Sequence, residues 1–96
     1  MKINITAIIK SKLETLEETK NVLIELAIKS KKETACIQYD LHQDNKKHDL
    51  FILHEIWESE EGLALHETQS HFLQFITKAP EFLAEPVLVY KTNKIA

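Results

Sequence analysis

Three features of the sequence predict an α+β fold with the element order β-α-β-β-α-β. Four short stretches alternate apolar and polar residues with the period of two that a half-buried strand requires. Two longer stretches between them repeat their apolar residues at helical spacing. The polar segment "DNKKHD", residues 44–49, separates the second strand from the third closely enough for an antiparallel hairpin.

The first strand is "KINITAIIK", residues 2–10, where Ile3, Ile5, Ala7 and Ile9 alternate with Asn4, Thr6 and Ile8, and β-branched residues dominate. From Leu13 to Ser30 the apolar positions become Leu13, Leu16, Val22, Leu23, Leu26 and Ala27, with Glu14, Glu17, Glu18, Asn21, Glu25 and Lys29 on the opposite arc. That pattern predicts an amphipathic helix lying on a core. Acidic residues at its start and Lys29, Lys31 and Lys32 at its end complement the helix dipole.

Residues 35–43, "ACIQYDLHQ", predict the second strand, with Ala35, Ile37, Tyr39 and Leu41 on one face and Cys36, Gln38, Asp40 and His42 on the other. The third strand, "LFILHEIW" at 50–57, carries Leu50, Ile52, His54 and Ile56 on one face and Phe51, Leu53, Glu55 and Trp57 on the other. A strand so apolar on both faces is covered on both sides. Ser59 is a natural N-cap, and Glu58, Glu60 and Glu61 suit the positive end of a helix, so a second helix is expected over 60–76, with Pro80 closing the region after it. The last strand follows Pro86, with Val87 and Val89 on one face and Leu88 and Tyr90 on the other.

This order is the split β-α-β, ferredoxin-like arrangement, a four-stranded antiparallel sheet with both helices on one face. The other sheet face also needs cover, given the third strand. Two chains are expected to supply it as a homodimer, their sheets forming a closed or nearly closed α+β barrel. Residues 1–96 are expected to form a single domain.

Composition excludes several classes of function. The chain carries a net charge of −3, and its twelve basic residues are all scattered lysines, which argues against nucleic acid as a partner. Without arginine there is no planar fork for bidentate binding of carboxylate or phosphate, so a weakly charged or neutral substrate is expected. No apolar run approaches the roughly 20 residues of a membrane helix, and the start lacks the features of a signal peptide, so a cytoplasmic protein is expected. Cys36 has no internal disulfide partner and reads as a small core residue. With Gly62 as the one glycine there is no glycine-rich turn for a flavin or nicotinamide phosphate, and neither Cys-x-x-Cys nor His-Glu-x-x-His spacing occurs. No cofactor and no metal are expected.

The stretch "HETQSHF", residues 66–72, concentrates groups capable of chemistry. On a continuous helix His66 and His71 stand about 140° apart, too far around the axis to share a metal. His66 lies on a stripe with Leu63, Ser70 and Leu73, as either a structural histidine or a base. His71 falls off the apolar stripes unless the helix kinks near Gln69–Ser70, in which case His71 and Phe72 begin a new segment facing the sheet. Glu55 and Trp57 share a strand face with Phe51, which suggests either a core pair or a general base of raised pKa beside an aromatic wall. Tyr39, on the neighbouring strand, could lend its hydroxyl to the same space. His54 faces the opposite layer.

Taken together, "ETACIQYDLHQD" (33–44), "LFILHEIWESEEGLALH" (50–66) and "QSHF" (69–72) resemble the antibiotic biosynthesis monooxygenase family, especially its small quinol monooxygenase members. The family pattern places a cysteine, tyrosine and histidine on the second strand, Glu-x-Trp at the end of the third, and His-x-x-x-x-His-Phe on a helix. Cys36, Tyr39, His42, Glu55, Trp57, His66, His71 and Phe72 stand in those places. The resemblance implies a dimeric α+β barrel with a cavity between sheet and helices, lined by Trp57, His66, His71 and Phe72. It also implies cofactor-independent oxygenation, in which a base removes a proton from a small aromatic phenol or quinol and the anion reduces molecular oxygen directly. The expected catalytic residues are His66, Glu55 and His71, and the expected substrate contacts Trp57, Tyr39, Phe72 and Phe51. Related proteins include isomerase-like enzymes of signalling metabolites, so a non-oxidative enzyme of a small carbonyl compound stays open, as does a dimeric small-ligand-binding protein without turnover. The haem-degrading branch looks to have a tryptophan in the place of His66 and an iron-binding histidine near Ile76; this chain has no histidine after His71, so that activity is not expected.

Overall fold

The computed structural model describes residues 1–96. Strands β1 (Ile3–Lys10), β2 (Cys36–Gln43), β3 (Leu50–Trp57) and β4 (Leu88–Thr92) form one antiparallel sheet in the order β2-β3-β1-β4. Helices α1 (Leu16–Ser30), α2 (Glu60–His66) and α3 (Ser70–Phe82) lie on one face of it. The fold is the expected ferredoxin-like arrangement, with the second helical region divided in two. No helix is long and apolar enough to cross a membrane.

The alternation of β1 sends Ile3, Ile5, Ala7 and Ile9 into the core, where they pair with Trp57, Glu55, Leu53 and Phe51 of β3. Central strands β1 and β3 thus present one buried row each to the helices. The turn between β2 and β3 is closed by Asp44, whose Oδ2 accepts the backbone N–H groups of Lys46 (3.0 Å) and Lys47 (2.8 Å). Helix α1 buries Thr19, Leu23, Leu26, Ala27 and Ser30, a stripe at helical spacing. Two of these, Thr19 and Ser30, are polar, and Thr19 is bonded on both sides. Ser11 Oγ donates to Thr19 Oγ1 at 2.8 Å, and Thr19 donates to the Thr15 carbonyl at 2.9 Å, which satisfies the hydroxyl that burial would otherwise strand. Leu13, expected on the apolar face, is 78 % exposed in a 3-10 turn that precedes the helix.

Three further expectations are corrected. In β2 a bulge at Ile37 separates Cys36, opposite Trp57, from Gln38, opposite Ile56. The extra residue turns Ile37 outward and brings Cys36 onto the face of Tyr39, so the strict alternation over 35–43 does not hold. The single helix over 60–76 is interrupted at 67–69. Thr68 Oγ1 and Gln69 Nε2 both donate to the Leu65 carbonyl, capping the end of α2, while extended backbone at Gln69 begins α3. Pro80 does not close the region: it lies in the last turn of α3, which runs on to Phe82.

Ser59 caps α2 as expected, its hydroxyl oxygen accepting from the Gly62 N–H at 3.1 Å. Gly62 is where this helix meets the 31–35 segment; a Cβ there would collide with that of Ala35. The close approach matters, because the 31–35 segment carries Glu33.

Candidate active site

The second helical region breaks directly after His66, and that break gathers residues from four elements around one imidazole. His66, the last residue of α2, is 2 % exposed. Its ring lies 4.4 Å from the Trp57 ring, centroid to centroid and tilted by 35°, 5.0 Å from Phe72 edge-on, and 5.9 Å from Tyr39. Its Nδ1 sits 2.6 Å from Oε2 of Glu33, and the same oxygen lies 2.8 Å from Nε2 of His71. When both rings donate an N–H to this carboxylate, the tautomer of His66 is set: the proton is on Nδ1, and Nε2, which makes no hydrogen bond within the chain, keeps its lone pair.

Burial holds the His66 pKa below the usual imidazole value of 6.5, with the hydrogen bond and charge of Glu33 pulling the other way. The ring is therefore neutral at neutral pH. Glu55 is 7 % exposed, and burial raises its carboxyl pKa to about 7, although the Trp57 indole N–H donates to its Oε1 at 2.9 Å and opposes the rise. Tyr39 is pushed well above the ordinary phenol value by burial and by Glu55, so it stays protonated. Cys36 is raised to about 11 by burial and the nearby glutamates, which leaves a thiol that packs and does not attack.

A cavity of about 110 Å³ lies between the sheet and the helices. Its wall is mostly apolar, and Tyr39, Glu55, His66 and Phe72 all face it. Exposed Ile76 and Val89 mark its mouth beside the β4 edge. Three expected site residues stand elsewhere. Trp57 is fully buried behind His66, where it supports the ring and holds Glu55 without forming the cavity wall. Phe51 pairs with Ile9 toward the other end of β3, four residues or about 13 Å along the strand from Glu55, and is buried in the core. His71 does not line the cavity; it lies on the outer side of His66, half-buried, in a solvent-facing cleft with Glu33.

Glu33 was absent from the expected site. In the sequence it follows Lys31 and Lys32 and reads as one more solvated charge, and no local pattern signals partners 33 and 38 residues away. The break in the helix also overturns the geometric ground for separating the two histidines: Nδ1 of His66, Nε2 of His71 and a Glu33 oxygen lie within 4.8 Å of one another.

Comparison with known proteins agrees with this architecture. The family model for antibiotic biosynthesis monooxygenases matches residues 4–78. The chain belongs to the antibiotic biosynthesis monooxygenase family. The crystal structure of PA3566 from Pseudomonas aeruginosa is similar at a TM-score of 0.93 and 29 % identity, over 99 % of this chain and 95 % of that one. Rv0793 from Mycobacterium tuberculosis is similar at 0.93 and 20 % identity, over 100 % and 97 %. An uncharacterized protein of Synechocystis, sll1783, is 33 % identical over 67 residues, 70 % of this chain, and the chain spans 45 % of that relative's length. The part matched by the monooxygenase family model contains all the residues named around His66, from Glu33 to Phe72.

Proposed function

We propose that the protein is a cofactor-independent monooxygenase acting on a small aromatic phenol or quinol bound in the cavity beside His66. The observation that carries this reading is a pair of groups facing one apolar space: a neutral imidazole oriented by Glu33, and a carboxyl, Glu55, with a pKa of about 7. Their environments suit them to opposite halves of a proton cycle.

His66 Nε2 takes the phenolic proton. The anion left behind is electron-rich and reduces oxygen by one electron, and the resulting superoxide and semiquinone radical join through a new carbon–oxygen bond. Protons returned from the imidazolium and the Glu55 carboxyl allow the O–O bond of that peroxide to break with loss of water, while the C–H bond of the oxygenated carbon breaks and its proton passes back to the Glu55 carboxylate. The balance is one quinol and one O₂ giving one hydroxyquinone and one water, with the substrate supplying all four electrons. The protein contributes a base, orientation and a water-poor wall.

The same acid–base pair suits keto–enol isomerisation of a small carbonyl compound, which moves a proton and consumes no oxygen. An oxygen electrode separates the two readings. Reduced naphthoquinones and hydroxynaphthalenes are expected to give protein-dependent oxygen uptake above their autoxidation, with one O₂ consumed per product; no such uptake removes the oxygenase reading.

The working unit is proposed to be a homodimer. The sheet face away from the helices carries half-buried Ile8, Ile52 and Ile56 and half-exposed Leu88 and Tyr90, a surface that a second copy would cover. Light scattering at micromolar concentration is expected to return twice the chain mass, and a stable monomer would refute this.

A further inference from the structure

Glu33, His66 and His71 come from three separate segments: the turn after α1, the last residue of α2 and the second residue of α3. Their convergence on one point is not a by-product of helical spacing, because it needs the break at 67–69. The donors are two imidazole nitrogens and one carboxylate oxygen, a set suited to borderline divalent transition cations. We propose that Glu33 Oε2, His66 Nδ1 and His71 Nε2 form a binding site for one such cation, of the Zn²⁺, Co²⁺ or Ni²⁺ class.

The two nitrogens lie 2.6 and 2.8 Å from the shared oxygen. Around a cation with ligand bonds of about 2.0–2.2 Å, the donors of a tetrahedral site stand roughly 3.3 Å apart, so each ring must withdraw from the oxygen by about half an ångström while the two nitrogens, which lie within 4.8 Å of one another, settle to that same spacing. His71 and Glu33 sit at helix and turn positions that open onto a solvent-facing cleft, and their side chains are 14 % and 13 % exposed. That cleft is the entry path, and water from it would complete the coordination. Lys29 and Lys32 also line it, and their charge weakens cation binding without blocking the donors.

The proton inventory shows what binding does. Each ring now points an N–H at Glu33; a cation takes both nitrogens, and a neutral His66 must then carry its proton on Nε2. The ring changes from a proton acceptor toward the cavity into a donor. If His66 is the base, the cation switches turnover off. That consequence rests on the proposed function, whereas occupation of the site does not.

The test is therefore binding. Titration of the metal-free full chain with Co²⁺ is expected to develop visible d–d absorption that saturates at one ion per chain in the micromolar range and is displaced by Zn²⁺. Glu33→Gln, which keeps the side-chain shape, and His71→Ala are each expected to weaken it at least tenfold, with folding checked by circular dichroism. His42 and His54, whose rings lie 5.3 Å apart on the opposite sheet face, offer the competing location. Binding that is lost in His42→Ala, or that persists unchanged in both Glu33→Gln and His71→Ala, overturns the site, as does the lack of saturable binding below millimolar Co²⁺.

Discussion

Replacing His66 with alanine is expected to lower kcat for quinol-driven oxygen uptake by roughly 10² to 10⁴, the usual contribution of a general base. The ring is neutral because burial depresses its pKa, and Glu33 holds Nδ1 so that the basic nitrogen is Nε2. An alanine keeps the cavity and the Glu55 carboxyl but removes the proton acceptor. KM should change far less than kcat, since Tyr39, Phe72 and the apolar wall remain. His66→Gln, which refills most of the vacated space next to Trp57, is expected to fall as far as the alanine variant and so separates lost chemistry from lost packing. The wild-type rate should also decline on the acid side, below pH 6.5, as the imidazole takes up a proton before substrate arrives. Uptake within threefold of wild type in both variants would make His66 a structural residue.

Glu55→Gln is expected to stabilise the protein at pH 8 while lowering its activity. The buried carboxyl holds its proton up to about pH 7, whereas an unfolded glutamate releases it near 4.5. Between those values the native state binds more protons than the unfolded chain, so stability falls as pH rises. Above pH 7 the full penalty of a buried charge is present, on the order of 3 kcal/mol. Glutamine never ionises, and its amide oxygen can still accept from the Trp57 indole. Urea unfolding should therefore show the variant more stable by one to three kcal/mol at pH 8, about the scale of that penalty, with the difference vanishing near pH 4.5. His66, whose pKa moves the opposite way, gives both proteins a common loss of stability below pH 6.5 and cancels from the comparison. A difference that is flat with pH would show that Glu55 ionises in the native state as it does in the unfolded chain. The expected trade, stability gained and turnover lost, is characteristic of a group kept for its chemistry.

The strands were legible because their period survives folding: Ile3, Ile5, Ala7 and Ile9 are apolar for the same reason that they are buried. The polar hairpin turn and the Ser59 cap were equally local. Where reading failed, the deciding interaction was distant or subtle. Nothing in "CIQ" announces a bulge, since Ile37 is an ordinary strand residue and the register is set by the partner strand. Nothing in "ETQS" forbids helix, and the interruption rests on side chains turning back to the Leu65 carbonyl. Tyr39, Glu55 and His66 stood out by residue type and face, whereas Phe72 was singled out through the family resemblance. Trp57 was legible as an aromatic beside Glu55, but whether it is the wall or its backing depends on where the His66 ring comes to rest. Glu33 could be found only from the fold.

The interruption between α2 and α3 has a consequence for how such chains can diverge. Thr68 and Gln69 act as caps, a duty that other small polar residues perform, so their identities can drift. Their number cannot. With α3 held in its place on the sheet, one residue added or removed between His66 and His71 would move every α3 side chain by one helical position, about 100° around that helix and about 1.5 Å along it, carrying His71 off Glu33 and Phe72 off the cavity. The tripeptide works as a ruler, intolerant of gaps yet permissive of spelling, and comparison of related sequences should weigh its length above its letters.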